Sequence, residues 1–210
     1  MDFLIATHNI NKRDELQRIL QPLGISVRTA DELGVTLREV DETGATFEEN
    51  AALKARGGCA DSGLPCIADD SGLEVDALGG RPGVHTARYG GGEQDYEKKM
   101  ALLLNELKDV PEGERTARFV SVICCTFPDG REFCVRGVCE GAIGLSVSGN
   151  GGFGFDPCFY VGGKSFADCT AAEKDAISHR GNALRALVNE LPQYFSNEPL
   201  PAAETARYRA

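Results

Sequence analysis

Two apolar runs set the strongest limit on the fold. Residues 116–127, TARFVSVICCTF, and residues 131–144, REFCVRGVCEGAIG, are separated only by Pro128, Asp129 and Gly130. Runs this rich in Val, Ile, Phe and Cys read as strands, and a connection this short allows only an antiparallel ribbon. A parallel pair needs a crossover of a dozen or more residues, so an all-parallel sheet is excluded. Upstream the pattern differs. DFLIAT, ISVRTA and PCIAD are short strand candidates, the last delivering Asp69 and Asp70 at its end, and helix-periodic segments lie between them. NKRDELQRILQPLG carries Leu16, Ile19, Leu20 and Leu23 at helical spacing and closes on Gly24. TFEENAALKARGG opens with Thr46 and Glu49 at capping-box spacing. DYEKKMALLLNELKDV forms a third helix, and residues 180–192 a last one with Leu184, Leu187, Val188 and Leu191 on one face. Strands alternating with helices, followed by a long hairpin, predict an α/β fold. Its expected form is a mixed sheet core flanked by helices, with the hairpin as a lobe and a substrate cleft between the lobes.

The 210 residues suit one α/β domain of two lobes over residues 1–196. Residues 197–210 carry two Pro and no periodicity, and predict a frayed tail. A net charge of −10 argues against non-specific nucleic-acid binding, which needs a basic surface, although a few cations focused in one cleft still suffice for a nucleotide. The N-terminus lacks a basic stretch and has only four apolar residues in a row, Phe3 to Ala6, too few for a signal peptide. No segment is long enough to cross a bilayer, so no membrane partner is expected and the expected location is cytoplasmic. Eight cysteines occur without a Cys-x-x-Cys pair, and the three histidines lie far from them, so zinc spacing is absent. The expectation is free thiols used as small core residues in a reducing compartment.

Four segments carry candidate chemistry. In ATHNINKRDE a polar loop runs into a helix start near Asn9, where backbone amides attract anions and Lys12 is unfavourable without one. An ordinary capped helix with a solvated lysine fits the same pattern. In EVDETGATFEEN, Glu48 and Glu49 complement the helix dipole, whereas Asp41 and Glu42 lie in the preceding loop and can reach a metal. IADDSG sets Asp69 beside Asp70, where α/β proteins place catalytic groups. If the strand continues, the two carboxylates face opposite sides, one free for structure and one for function. Oxygen donors of this kind suit Mg²⁺; a polar turn is the plain alternative. In EKDAISHRGNAL, Ser178 can cap a helix, with Lys174, His179 and Arg180 gathered around its start.

Two phosphate-loop motifs fail on context. Gly149, Gly151 and Gly154 match G-x-G-x-x-G, but Asp156-Pro157 follows where a helix is required. GGKS at 162–165 resembles the end of a Walker A loop, yet Cys158 stands where its first glycine belongs. The first loop, with Phe153 and Phe155, suits close approach to a flat base or a loop with core aromatics.

Together ATHNINK, ETGATFEENAALKA, ADDSGLEVDALGGRPGVHTARY, GGFGFDPCFY and EKDAISHRGNAL resemble, in order and over most of residues 4–188, the non-standard purine nucleoside triphosphate pyrophosphatases, the inosine and xanthosine triphosphatase family. The resemblance implies Mg²⁺-dependent hydrolysis of ITP, dITP and XTP to monophosphate and pyrophosphate, cleansing the nucleotide pool, by a cytoplasmic homodimer. It implies that Thr7, His8, Asn9, Ile10, Asn11 and Lys12 hold substrate, chiefly at the phosphates. Glu42 and Asp70 would hold the metal, with Asp70 also the base, and Ser71 would touch substrate. Phe153, Gly154, Phe155 and Asp156 would form the base pocket, completed by Lys174, His179 and Arg180. This chain has Phe155 where the family often has Tyr. A nucleotide-binding regulatory protein without turnover is the alternative, which the site acids disfavour. A nicotinamide dehydrogenase falls with the glycine fingerprint.

Overall fold

The computed structural model describes residues 2–7, 9–91 and 95–194. The tail expected at 197–210 lies outside the described residues. Seven strands form one mixed sheet: β1 (Asp2–Ile5), β2 (Ser26–Thr29), β3 (Cys66–Val75), β4 (Thr116–Thr126), β5 (Glu132–Ile143), β6 (Phe159–Val161) and β7 (Lys164–Ser165), in the order β2-β1-β3-β4-β5-β6-β7. β1 pairs in parallel with β2 and β3, while β5–β6 and β6–β7 are antiparallel. The helices are α1 (Ile10–Leu20), α2 (Ala30–Leu33), α3 (Phe47–Ser62), α4 (Tyr96–Glu106), α5 (Ala171–Ile177) and α6 (His179–Glu190). The α/β class read from the sequence is the fold observed.

The chain divides into two compact units. Among the described residues, unit 1 contains 2–7, 9–70, 122–136 and 183–194, and unit 2 contains 71–91, 95–121 and 137–182. The hairpin expected as a lobe of its own is instead part of the sheet. β4 and β5 are neighbours between β3 and β6, and the turn end of the ribbon, residues 122–136, belongs to unit 1. The Phe127 amide donates to the Arg131 carbonyl at 2.9 Å, and the amide of Gly130, at φ 88°, donates to Phe127.

Strand alternation explains the core of unit 1. Phe3, Ile5 and Ile67 pack with Leu16 and Leu20 of α1 and Leu184, Leu187 and Leu191 from α6 onward. Leu4 and Cys66, one residue out of phase, pack with Cys59 of α3. That side is tight: a Cβ on Gly58 would stand 2.5 Å from the Cys66 sulfur and 3.3 Å from Leu4. Hence α3 turns its small residues Ala51, Ala55 and Gly58 inward. In unit 2, Leu73 and Val75 pack with Tyr89, Leu103 and Phe119 and with Phe155, Phe159 and Phe166. Arg115, 3% exposed, donates to the carbonyls of Leu107, Val110 and Gly144 and so satisfies the chain leaving α4.

Three expectations change. β3 does not end at the Asp pair; it runs ten residues, because Leu73 and Val75 return fully buried side chains to the core beyond the polar interruption. α2 and α5 were not anticipated. Both are short, and both start on a complete capping box, Thr29 with Glu32 and Thr170 with Glu173. Finally, Cys124 and Cys134 are joined as a disulfide, whereas Cys59, Cys66, Cys125, Cys139, Cys158 and Cys169 are free thiols as expected. The hairpin sets the pair directly across neighbouring strands, with Cα atoms 4.0 Å apart, a proximity that no Cys-x-x-Cys spacing signals.

Glu173 accepts from the Thr170 amide and from Lys164, which together hold its carboxyl down to about 2 from the ordinary 4.5. A depressed folded-state value contributes stability that is present above the unfolded value and lost as pH falls toward the folded one. Glu173→Gln is therefore expected to lower Tm near neutral pH, with the gap to wild type closing between about pH 4.5 and 2. Thermal melts across that range check it; a pH-independent gap would assign the loss to shape and not to charge.

Candidate active site

β3 carries the acid pair with successive side chains on opposite faces. Asp69 has the phase of Ile67 and meets α1: its Oδ2 lies 2.6 Å from Lys12 Nζ, with side-chain exposures of 1% and 15%. Asp70 has the phase of Cys66 and meets α3: its Oδ1 lies 2.8 Å from Lys54 Nζ. Lys54 also reaches Glu42 Oε1 at 3.0 Å, so one ammonium joins the loop acid to the strand acid. Each of the adjacent carboxylates thus has its own lysine.

Burial raises the pKa of Asp70, against the pull of Lys54 and Lys12, and the net direction is upward. Burial also opposes the charge on Lys54, but the combined attraction of Asp70, Glu42 and Asp69 outweighs it and holds the lysine protonated. Asp70 Oδ2 is buried with no hydrogen-bond partner. An acceptor left in that state is costly, and a cation or a proton donor is what relieves it.

Among the described residues no three His, Cys, Asp or Glu cluster to hold a metal. Two carboxylates already drawn to one cation, with an unmatched oxygen beside them, nonetheless fit Mg²⁺, which binds through one or two carboxylates plus phosphate oxygens.

The loop before α1 is more self-contained than the sequence suggests. Asn9 Oδ1 accepts the amides of Asn11 and Lys12 at 3.0 and 3.2 Å, and Thr7 Oγ1 accepts that of Asn9 at 3.2 Å. Several of the amides expected to face an anion are therefore capped from within, which leaves Lys12 as the segment's strong charge. Ile10 is 59% exposed, Asn11 is exposed, and His8 lies outside the described residues.

Unit 2 holds the remaining candidates. Lys174, from α5, donates to Asp156 Oδ2 at 2.7 Å, and the Phe153 amide donates to the same oxygen at 2.7 Å. Lys174 Nζ also sits 4.3 Å from the Phe153 ring centroid, and the Arg180 guanidinium 5.9 Å from it. A cation against the ring is held electrostatically by its π face. Gly152, at φ 68°, is needed here: a Cβ would collide with the Asp156 carboxylate. Arg180, 1% exposed, donates through Nη2 to Ser71 Oγ at 3.0 Å. His179 stacks on Phe119, with centroids 4.7 Å apart. The Ser178 hydroxyl accepts the Gly181 amide, capping α6 as expected.

Phe155 is 1% exposed and lies edge-on to Tyr89 and Tyr96, at 6.1 and 5.5 Å. Its ring belongs to the core of unit 2. Gly154, at φ 67°, backs onto Tyr96.

Sequence reasoning missed Lys54. Its signal is position: it follows Ala51 by three residues and precedes Gly58 by four, beside the small-residue face of α3, where a lone lysine is unexpected. Phe119 was missed as well, because a strand phenylalanine beneath a histidine carries no local signature.

The fold is that of an α/β protein whose strand β3 bears an acid pair met by two lysines, with an aromatic–cation cluster in unit 2. The chain belongs to the Ham1 family, which matches residues 3–190. It is 50% identical over 192 residues to a dITP/XTP pyrophosphatase of Nocardia farcinica, covering 90% of this chain and 93% of that protein. Among solved structures it is similar to a HAM1 protein from Coxiella burnetii, with a TM-score of 0.82 and 37% identity over 92% of this chain and 99% of the other. It is also similar to a nucleoside-triphosphatase / dITP/XTP pyrophosphatase from Mycobacterium abscessus, with a TM-score of 0.73 and 45% identity over 89% and 98% of the two chains.

Proposed function

We propose that this chain is a hydrolase that converts non-standard purine nucleoside triphosphates, ITP, dITP and XTP, to the monophosphate and pyrophosphate with Mg²⁺. The observation that carries the reading is the buried Asp70, bonded to Lys54 on one oxygen and unmatched on the other, with Glu42 on the same lysine. Dimer formation and a cytoplasmic location are part of the proposal; among the described residues no helix is long and apolar enough to cross a membrane.

The reaction adds water to phosphorus and breaks the bond between the α and β phosphates. Mg²⁺, held by Glu42 and Asp70, would supply charge neutralisation at the phosphate oxygens. Asp70 Oδ2 takes the proton of the attacking water, a task suited to a carboxylate whose pKa burial has raised. Lys12 and Lys54 offset the charge that builds on the departing pyrophosphate. In unit 2, Phe153 offers a flat face to a base, while Lys174 and Arg180 supply donors. Asp156 fixes both Phe153 and Lys174. Phe155 and His179 act through packing, on Tyr89 and Tyr96 and on Phe119 respectively.

Pyrophosphate release over a panel of nucleoside triphosphates tests the whole reading. Release from ITP, dITP and XTP, little from ATP or GTP and none in chelator is expected. Nucleotide binding without pyrophosphate would identify a regulatory protein instead.

Arg180 provides a second test. Arginine offers only donors, which match the 6-keto oxygen of hypoxanthine and leave the 6-amino group of adenine unpaired. Arg180→Ala is expected to narrow the ITP-to-ATP ratio of kcat/KM by about tenfold or more, within the range a lost polar match allows. Guanine shares the keto oxygen, so the GTP-to-ITP ratio should move less. An unchanged ITP-to-ATP ratio would confine Arg180 to holding Ser71.

A further inference from the structure

Glu42 lies in a stretch, residues 35–44, without regular secondary structure. A metal carboxylate on such a segment needs something to hold it. Asn50, in the first turn of α3, is completely buried. Its Oδ1 accepts the Gly44 amide at 2.8 Å, while its Nδ2 is buried with no acceptor. An amide buried with half its hydrogen bonds unmade is a poor choice for packing alone.

The loop side is built to match. Gly44 is not in the left-handed region, so it is not a glycine for conformational reasons. It is a glycine for space: a Cβ would stand 2.6 Å from Asn50 Oδ1 and 2.6 Å from Glu49 Cβ. Glu49 Oε2 accepts the next two amides, those of Ala45 and Thr46, at 2.6 and 3.3 Å. Three successive amides just after Glu42 are thus gripped by the first turn of α3. One turn further along the same helix stands Lys54, the residue that joins Glu42 to Asp70.

We propose that Asn50 is a positioning residue for the metal carboxylate Glu42, acting through a latch on Gly44 that fixes the loop against α3. This rests on the reading of Glu42 and Asp70 as Mg²⁺ ligands. Residues that orient ligands without touching the metal change metal affinity or activity by about 10–100-fold when removed. The full-length chain and its Asn50→Ala, Gly44→Ala, double and Glu42→Gln variants are compared in three measurements. The first is Mn²⁺ affinity by electron paramagnetic resonance, with a non-hydrolysable ITP analogue present. The second is amide exchange at Gly44 without metal. The third is the Mg²⁺ dependence of pyrophosphate release from ITP.

Asn50→Ala and Gly44→Ala are each expected to weaken Mn²⁺ binding by about tenfold or more and to raise the Mg²⁺ needed for half-maximal rate. KM for ITP at saturating Mg²⁺ should stay near wild type. Gly44 should exchange faster in Asn50→Ala, and the double variant should be no worse than the stronger single one, because both break one contact. Wild-type Mn²⁺ affinity in folded Asn50→Ala, or fully additive losses, would overturn the latch. If Asn50→Ala does not fold, Gly44→Ala, which leaves the Asn50 side chain in place and breaks the latch from the loop side, decides alone. Wild-type Mn²⁺ affinity in Glu42→Gln would instead remove Glu42 from the metal site, and the latch proposal with it.

Discussion

Asp70→Asn is expected to fold and to lose about two or more orders of magnitude in turnover of ITP, the scale of a missing base or metal ligand. Asparagine keeps the shape, and Lys54 retains Glu42 on its other side, so the core of unit 1 is not opened. What disappears is the negative charge and the acceptor at Oδ2. Steady-state kinetics beside a thermal melt separate chemistry from folding. Near-normal turnover in the folded variant would take Asp70 out of the reaction. Asp69→Asn is the informative neighbour: it weakens the pairing with Lys12 and leaves Asp70 in place, so its effect runs through that lysine.

The second large effect is on stability. Asp156 and Lys174 form an ion pair at 2.7 Å with side chains only 3% and 6% exposed. Removing one member of such a pair costs about 3–5 kcal/mol, because the other charge stays behind in a dry place. Asp156→Ala also strips the acceptor from the Phe153 amide. With about 2–4 °C of Tm per kcal/mol at this chain length, a drop on the order of 10 °C is expected. Adding Lys174→Met should recover part of it, since the stranded charge goes too. A loss under about 1 kcal/mol in Asp156→Ala would mean that water reaches the pair and that it behaves as a surface contact.

Much of this was readable from the residues. The ribbon followed from its short connection and α1 and α3 from their period and caps; the residues narrowed the acids to Asp41 and Glu42 in a loop and Asp69 and Asp70 beside an apolar run, and only the family resemblance singled out Glu42 and Asp70. What stayed hidden is what sequence distance hides. Lys54 is 16 residues from Asp70, and only the packing of α3 on β3 brings them together. Asn50 is masked by its place in an ordinary helical segment. β3 was cut short because Asp-Asp-Ser-Gly has the chemistry of a turn, and the override came from Leu73 and Val75, whose burial outweighs that local preference. The disulfide was missed because the rules for cysteines look along the chain, whereas Cys124 and Cys134 meet across it.

The uninterrupted course of β3 through Asp69 and Asp70 restricts how such a chain can change over time. A strand has parity. Ile67 and Asp69 answer to α1, and Cys66 and Asp70 to α3. Substitutions leave that parity intact, but one residue inserted or deleted between Cys66 and Asp69 would hand each acid to the other's lysine and turn Ile67 or Cys66 out of its core. Length changes here are tolerable only in pairs, and even then they displace both acids along the sheet. The segment is therefore a fixed ruler. Its residue count is closed, and variation in length has to be absorbed in the loops on either side.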